Sequence, residues 1–330
     1  MTHHSDLLIV GAGILGLSHA YAAARRGLKV RVFERSATPL GASVRNFGQA
    51  LVTGQPPGPM LDQARESRAI WGLAATSLLV LKPDGLLVPY APKGLDKLDA
   101  QFRDKDNPPA WVGMDAWVAA LCFNTVEAQK KSLPKPASWK DLTKPVYKGT
   151  IVMPNPASSG TGFLDVTSWL QIFGEAEGWK YMDALHQNIG VYTHSGSKPC
   201  TMAGAGEYPI GVSFEFRAAR QKRQGAPIDI VFPSEGSGWD MEATAIVKGT
   251  KNLEAAKTLL DWSVSEKAMK LYNEGYAVVA ISKMSKPIEF LPASMLDHMI
   301  KNDFQWAATN RAKILAEWEK RYGAKSEPKK

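Results

Sequence analysis

The sequence predicts an α/β protein that opens with a βαβ unit. Short apolar runs alternate with stretches of helical periodicity along most of the chain. A glycine-rich hexapeptide, Gly11-Ala12-Gly13-Ile14-Leu15-Gly16, follows the first run and opens a helix. Two later Ser/Gly-rich loops, at 155–162 and 192–199, occupy the same strand-to-helix position.

The first strand is expected at 6–10, where Leu7-Leu8-Ile9-Val10 is apolar without alternation, as in a strand buried on both faces. Gly11-Ala12-Gly13 makes a tight turn, 14–26 has helical periodicity, Gly27 ends the helix, and 29–33 is the second strand. The glycines let the backbone approach a pyrophosphate at the helix N-terminus, and Glu34 stands where a carboxylate accepts hydrogen bonds from a ribose. With Gly41-Ala42-Ser43-Val44-Arg45-Asn46-Phe47-Gly48, this segment resembles FAD-dependent oxidoreductases of the D-amino-acid oxidase and glycine oxidase type, in a branch associated with phosphonate catabolism. The resemblance implies that Gly11, Gly13, Gly16 and Glu34 hold the ADP half of FAD, with Ser43, Arg45 and Asn46 near the rest of it. It continues through Gln55 and 65–71 and then stops. The family's substrate domain and C-terminal FAD-contacting segment have no counterpart. Residues 1–70 are therefore expected to be a partial FAD/NAD(P)-binding, Rossmann-like fragment. FAD is the cofactor it implies, with only part of its domain to hold it.

From Trp71 the texture changes. Strands are expected at 116–123, 150–153, 190–193, 210–213, 228–232 and 243–247, and helices at 178–187, 214–224 and 253–274. The stretch 292–322 reads as amphipathic helix with Trp306 and Trp318 packing inward. Asn155-Pro156-Ala157-Ser158-Ser159-Gly160-Thr161-Gly162 combines free amides at a helix start with three hydroxyls, an anion cradle without formal charge; ordinary helix capping explains the same residues. Tyr192-Thr193-His194-Ser195-Gly196-Ser197-Lys198-Pro199 repeats the arrangement, and Pro233-Ser234-Glu235-Gly236-Ser237-Gly238-Trp239-Asp240 adds acids and an aromatic.

These stretches, with 71–79 and 206–217, resemble periplasmic solute-binding proteins of ABC importers, within the class that includes iron(III)- and polyamine-binding proteins, and most nearly the 2-aminoethylphosphonate-binding branch. The resemblance implies a two-lobed, type 2 periplasmic-binding-protein fold over 71–330, truncated because its own N-terminal βαβ and signal peptide are missing. It assigns the phosphonate to Ser158, Ser159, Thr161, Ser195 and Ser197. It assigns the ligand's amine to Glu215, Glu235 or Asp240, with Trp239 or Phe214 over the aminoethyl chain. Iron-binding relatives carry paired tyrosines where this chain has Phe214-Glu215-Phe216, which argues against iron. At the junction the two patterns conflict. The flavoprotein pattern is helical over 65–71, whereas the binding-protein pattern ends a strand at 71–74. A single helix over 61–81 is one resolution, since no Pro interrupts it and Gly72 is the only breaker.

Function therefore divides between binding a small phosphonate for an importer's membrane subunits and, alternatively, FAD-dependent oxidation of an amine or amino acid. Binding has more of the chain and more of its loops, so catalytic residues and metal ligands are expected to be none; His186 and His194 make no metal set. A net charge of +8 comes from dispersed Lys and Arg and suits small anions, not nucleic acid. No apolar stretch reaches membrane-spanning length. As written, without an export signal, the chain is expected in the cytoplasm, whereas the solute-binding family works in the periplasm. Cys122 and Cys200 can pair, but two separate thiols is the plainer reading.

Overall fold

The computed structural model describes residues 5–10, 23–24, 26–33, 70–293 and 295–328. The chain divides into two compact units, Met1–Arg65 and Glu66–Lys330. In the first, β1 (Leu7–Val10) and β2 (Val30–Phe33) pair in parallel, Leu7 opposite Val30 and Val10 opposite Phe33. A parallel pair requires a crossover connection, as a βαβ unit supplies. The Asp6 carboxylate accepts from the Lys29 amide at 2.8 Å and ties the two strand starts together. Gly11, Gly13, Gly16, Glu34, Ser43, Arg45 and Asn46 lie outside the described residues.

The second unit carries β3 (Ile70–Ala74), β4 (Leu87–Val88), β5 (Val112–Asn124), β6 (Ile151–Pro154), β7 (Ile189–Thr193), β8 (Ile210–Phe214), β9 (Ile228–Val231), β10 (Trp239–Val247) and β11 (Val278–Val279). They form a sheet in the order β3-β10-β5-β8-β6-β7, with β4 beside β10 and with β9 and β11 beside β5. Its helices are α1 (Ala75–Leu81), α2 (Thr125–Lys130), α3 (Gly160–Phe173), α4 (Glu175–Asn188), α5 (Lys198–Gly204), α6 (Glu215–Arg223), α7 (Leu253–Ser263), α8 (Glu266–Tyr272), α9 (Phe304–Thr309) and α10 (Arg311–Tyr322). The long strand β5 is apolar on both faces and buried almost throughout, which a strand covered on both sides requires. Its first half pairs with β10 and β11, and its second half with β8 and β9. Two hydrophobic cores follow from that division. One gathers Leu78, Phe102, Met241, Ile246 and Met269. The other gathers Leu121, Trp139, Trp169, Leu185 and Trp318. The two lobes thus share β5 as their common element.

Four expectations are corrected. No helix runs through the junction: Ile70–Ala74 is a strand antiparallel to β10, with Trp71 opposite Ala245, and α1 begins at Ala75. The edge of β10 satisfies the backbone of residues 70–74, and the Asp240 carboxylate accepts from the Thr76 hydroxyl at 2.6 Å, which fixes the helix start there. The expected helix over 253–274 is two, because Ser265 leaves the helical path and caps α8 through the Ala268 amide. The helical reading of 292–322 likewise resolves into α9 and α10, with Asp303 capping α9 through Trp306 N at 2.9 Å. The cysteines are bonded: Cys122 on β5 and Cys200 on α5 have their Cα atoms 5.3 Å apart. Gly211 explains their approach. It sits opposite Cys122 on β8, and a side chain there would meet Pro199 O at 2.3 Å and Cys200 N at 3.0 Å. The bare backbone lets α5 lie directly on the sheet.

Candidate functional site

β6 runs parallel to both β7 and β8, so the C-terminal ends of the three strands lie at one edge of the sheet. Each end leads into a candidate loop, the usual place for a ligand in such sheets. After β6, Asn155 folds back to accept from the Ala157 amide at 2.7 Å, and Ser159 caps α3 through Gly162 N. Among the described residues, the Gly160 and Thr161 amides donate to no acceptor. After β7, the Ser195 and Ser197 hydroxyls are 3.2 Å apart, and Ser213 of β8 donates to Gly196 O at 2.7 Å. The two hydroxyl loops touch at Gly196, where a Cβ would stand 2.2 Å from Thr161 Oγ1 and 3.0 Å from Ser159 Oγ. Ser159, Thr161, Ser195 and Ser197 are thereby gathered in one place. Gly196→Ala is expected to push the loops apart at a cost of about 1–3 kcal/mol, which calorimetry would read as about tenfold or greater loss of affinity for an anionic ligand.

Ser158 is held differently. Its hydroxyl lies 2.6 Å from His194 Nδ1, while His194 Nε2 lies 2.8 Å from the Glu327 carbonyl oxygen. A carbonyl only accepts, so His194 Nε2 donates to it, and in the neutral ring Nδ1 accepts from Ser158. The Glu327 carboxylate also accepts from His194 N at 2.8 Å and pairs with Lys198. The C-terminal segment is therefore part of the support of this loop.

After β8 comes Glu215, which is 1% exposed. One of its oxygens accepts from Val118 N at 2.6 Å; the other is enclosed and has no partner. Burial pushes its pKa up to about 8. Asp115 of β5, opposite Glu242 of β10, also has an enclosed oxygen without a partner. Burial raises the Asp115 pKa well above the usual carboxylate range, and the charges of Glu242 and Glu215 add to that. Burial, then Asp240, brings Glu242 to about 7. Burial raises the Tyr276 hydroxyl far above its ordinary range, and the charges of Asp115, Glu242 and Glu215 add to that. Tyr276 stacks on Phe216 at 5.0 Å, and Phe216 lies 6.4 Å from Phe214. Among the described residues, none of Glu215, Asp115 and Glu242 is paired with a cation.

The remaining expected residues have other partners. Glu235 accepts from the Trp139 and Lys140 amides at 2.9 and 3.0 Å, at the start of a 3-10 turn. Asp240 caps α1, and burial raises its pKa to about 6 against the hydrogen bonds that lower it. Trp239 donates to Ile300 O at 2.8 Å and packs edge-on against Phe304 in the first core. Asp115 and Glu242 escaped the sequence reading because each sits inside an apolar strand run. Only the β5–β10 register brings them together.

The family model for bacterial extracellular solute-binding proteins matches residues 76–307. The chain belongs to this family. The FAD-dependent oxidoreductase model matches residues 6–125, so an oxidoreductase-like N-terminal segment precedes and partly overlaps the solute-binding region. An uncharacterized protein of Haemophilus influenzae is 32% identical over 71% of this chain and 69% of its own length. A probable ABC transporter periplasmic-binding protein of Sinorhizobium fredii is 25% identical over 66% of this chain and 61% of its own. The spermidine/putrescine-binding periplasmic protein of Escherichia coli is 27% identical over 57% and 50%. The chain thus spans between half and about two thirds of these curated relatives. Among solved structures, the periplasmic binding protein AfuA of Actinobacillus pleuropneumoniae superposes with a TM-score of 0.72 at 23% identity, over 96% of this chain and 98% of that one. Apo ferric ion-binding protein A of Pasteurella haemolytica gives 0.64 at 16%, over 96% of each chain. The solute-binding protein therefore has the two-lobed periplasmic-binding-protein fold, preceded by a βαβ unit.

Proposed function

We propose that this solute-binding protein takes a small zwitterionic phosphonate, with 2-aminoethylphosphonate as the type ligand, for delivery to the membrane subunits of an ABC importer. The reading rests on one juxtaposition: at the same strand ends, uncommitted amides and hydroxyls stand on one side and Glu215 with its partner acids on the other. The first set suits an oxyanion and the second an ammonium group. Ser159, Thr161, Ser195 and Ser197, with Ser158 at the rim, hold the phosphonate; Glu215, Asp115 and Glu242 hold the amine. Phe214 and Phe216 cover the carbon chain. Residues 71–330 are the solute-binding region and 1–70 a flavoprotein-derived fragment. The work is extracytoplasmic, where a disulfide such as Cys122–Cys200 persists. Titration calorimetry with 2-aminoethylphosphonate should give saturable one-to-one heat. No heat at about 1 mM ligand, a binding free energy weaker than about −4 kcal/mol, overturns the reading.

A second reading, FAD-dependent oxidation of an amine, draws on the glycine fingerprint and the oxidoreductase match over 6–125. It predicts stoichiometric flavin absorbance in the purified protein, and a colourless preparation that stays colourless after incubation with FAD removes it.

A further inference from the structure

Arg311 opens α10, and its guanidinium carbon stands 4.2 Å from the centre of the Phe163 ring. Phe163 is the fourth residue of α3, and a helical side chain leans back toward the N-terminus of its helix. The cation is thus carried beside the turn that presents Ser159, Gly160 and Thr161. The charge of Asp240 acts on Arg311, while the Asp240 oxygens accept from Thr76 and from Met241 N. Among the described residues no acceptor pairs with the Arg311 guanidinium. Arg103, Arg217, Arg223 and Arg321 each have one, whereas Arg31 and Arg220, like Arg311, have none.

The Arg311 guanidinium is half-buried but none of its nitrogens is enclosed, so its N–H donors stay open to water or to a ligand's oxygens. The Phe163 ring holds the guanidinium from one side, and a planar fork matches two oxygens of a tetrahedral oxyanion. We propose that Arg311 is the charged anchor for the oxyanion end of the ligand, a phosphonate or phosphate group held between its fork and the first turn of α3. This rests on reading the same strand ends as the ligand site. It changes their character, since the cradle is then not neutral. It also accounts for the missing acceptor, which the ligand provides.

The test compares the full chain with Arg311→Met and Arg311→Lys by calorimetry, using 2-aminoethylphosphonate and inorganic phosphate separately. Arg311→Met is expected to weaken 2-aminoethylphosphonate about 30-fold or more, and Arg311→Lys about tenfold, because a point charge cannot make the bidentate pair. Arg311→Lys should leave the melting temperature of the ligand-free protein nearly unchanged, and Arg311→Met should lower it only slightly, through loss of the Phe163 ring contact. A structural cation would show the opposite: lower melting temperatures with unchanged affinity. If the wild-type chain ignores 2-aminoethylphosphonate but binds phosphate through Arg311, the zwitterion reading fails and the anchor stands. Equal affinities of wild type and Arg311→Met for whichever probe binds, or no binding of either probe, overturn the anchor.

Discussion

Replacing Cys122 and Cys200 by alanine, or reducing their bond, is expected to destabilise the solute-binding region by about 4 kcal/mol and to loosen the ligand site with it. The bond closes a loop across a sequence separation of 78 residues. Loop-closure entropy for a chain of that length gives about 4–5 kcal/mol, and measured losses on removing native bridges run to about 2–5. For a domain of this size each kcal/mol moves the melting temperature by about 2–4 °C, so a fall of roughly 10 °C should appear in a thermal scan. The bridge joins the buried end of β5 to the first turn of α5, and α5 begins directly after Ser195-Gly196-Ser197. Its surroundings are small: Ala203, Ala218 and Ile228. That cluster contributes little apolar burial to hold α5 in place without the covalent link. Reduction should therefore also lower affinity for an anionic ligand. A melting temperature unmoved by reductant, with both thiols shown to be free, would sink the argument.

The pairing illustrates which features this sequence makes legible. Elements whose signal is local were readable: β6 through β9 fall within a residue or so of their expected bounds, because each is a short apolar run between turn residues. The Ser158–Thr161 and Ser195–Ser197 loops were readable for the same reason, since hydroxyls and glycines beside a helix start advertise free amides. Features that depend on which strand lies beside which were not. Cys122 meets Cys200 only because β8 is next to β5, and Asp115 meets Glu242 only through the β5–β10 ladder. The junction failed differently. Residues 70–74 have no intrinsic bar to helix, and the free edge of β10, about 170 residues later, decides for strand. Glu235 and Asp240 show what loop composition alone leaves out. An acid in a Gly/Ser loop looks available to a ligand, but both sit where nearby backbone amides need an acceptor.

Binding an amine ligand at pH 7 is expected to release about one proton, because the acids that receive it are held protonated by burial. Glu215 titrates near 8 and Glu242 near 7, and Asp115 is raised by burial and by both of them. In the unfolded chain such carboxyls titrate near 4. Between those values the folded protein holds protons that the unfolded chain has lost. The stability these acids confer on the ligand-free protein should therefore be full below about pH 4 and be lost progressively as the pH rises to about 8. An ammonium group placed among the acids reverses the preference, since an opposite charge at short range favours the ionised form. Affinity should then rise over the same range in which ligand-free stability falls. Calorimetry in buffers of different ionisation enthalpy at pH 7 reads the proton count directly. Glu215→Gln keeps an acceptor for Val118 N but removes the titrating group. It should melt higher than wild type at pH 8, bind the amine about 30-fold or more weakly, and release fewer protons. Proton uptake on binding, or wild-type release from Glu215→Gln, would place the amine elsewhere. Only a cation seated at Glu215 links ligand affinity and ligand-free stability to the same protons with opposite signs.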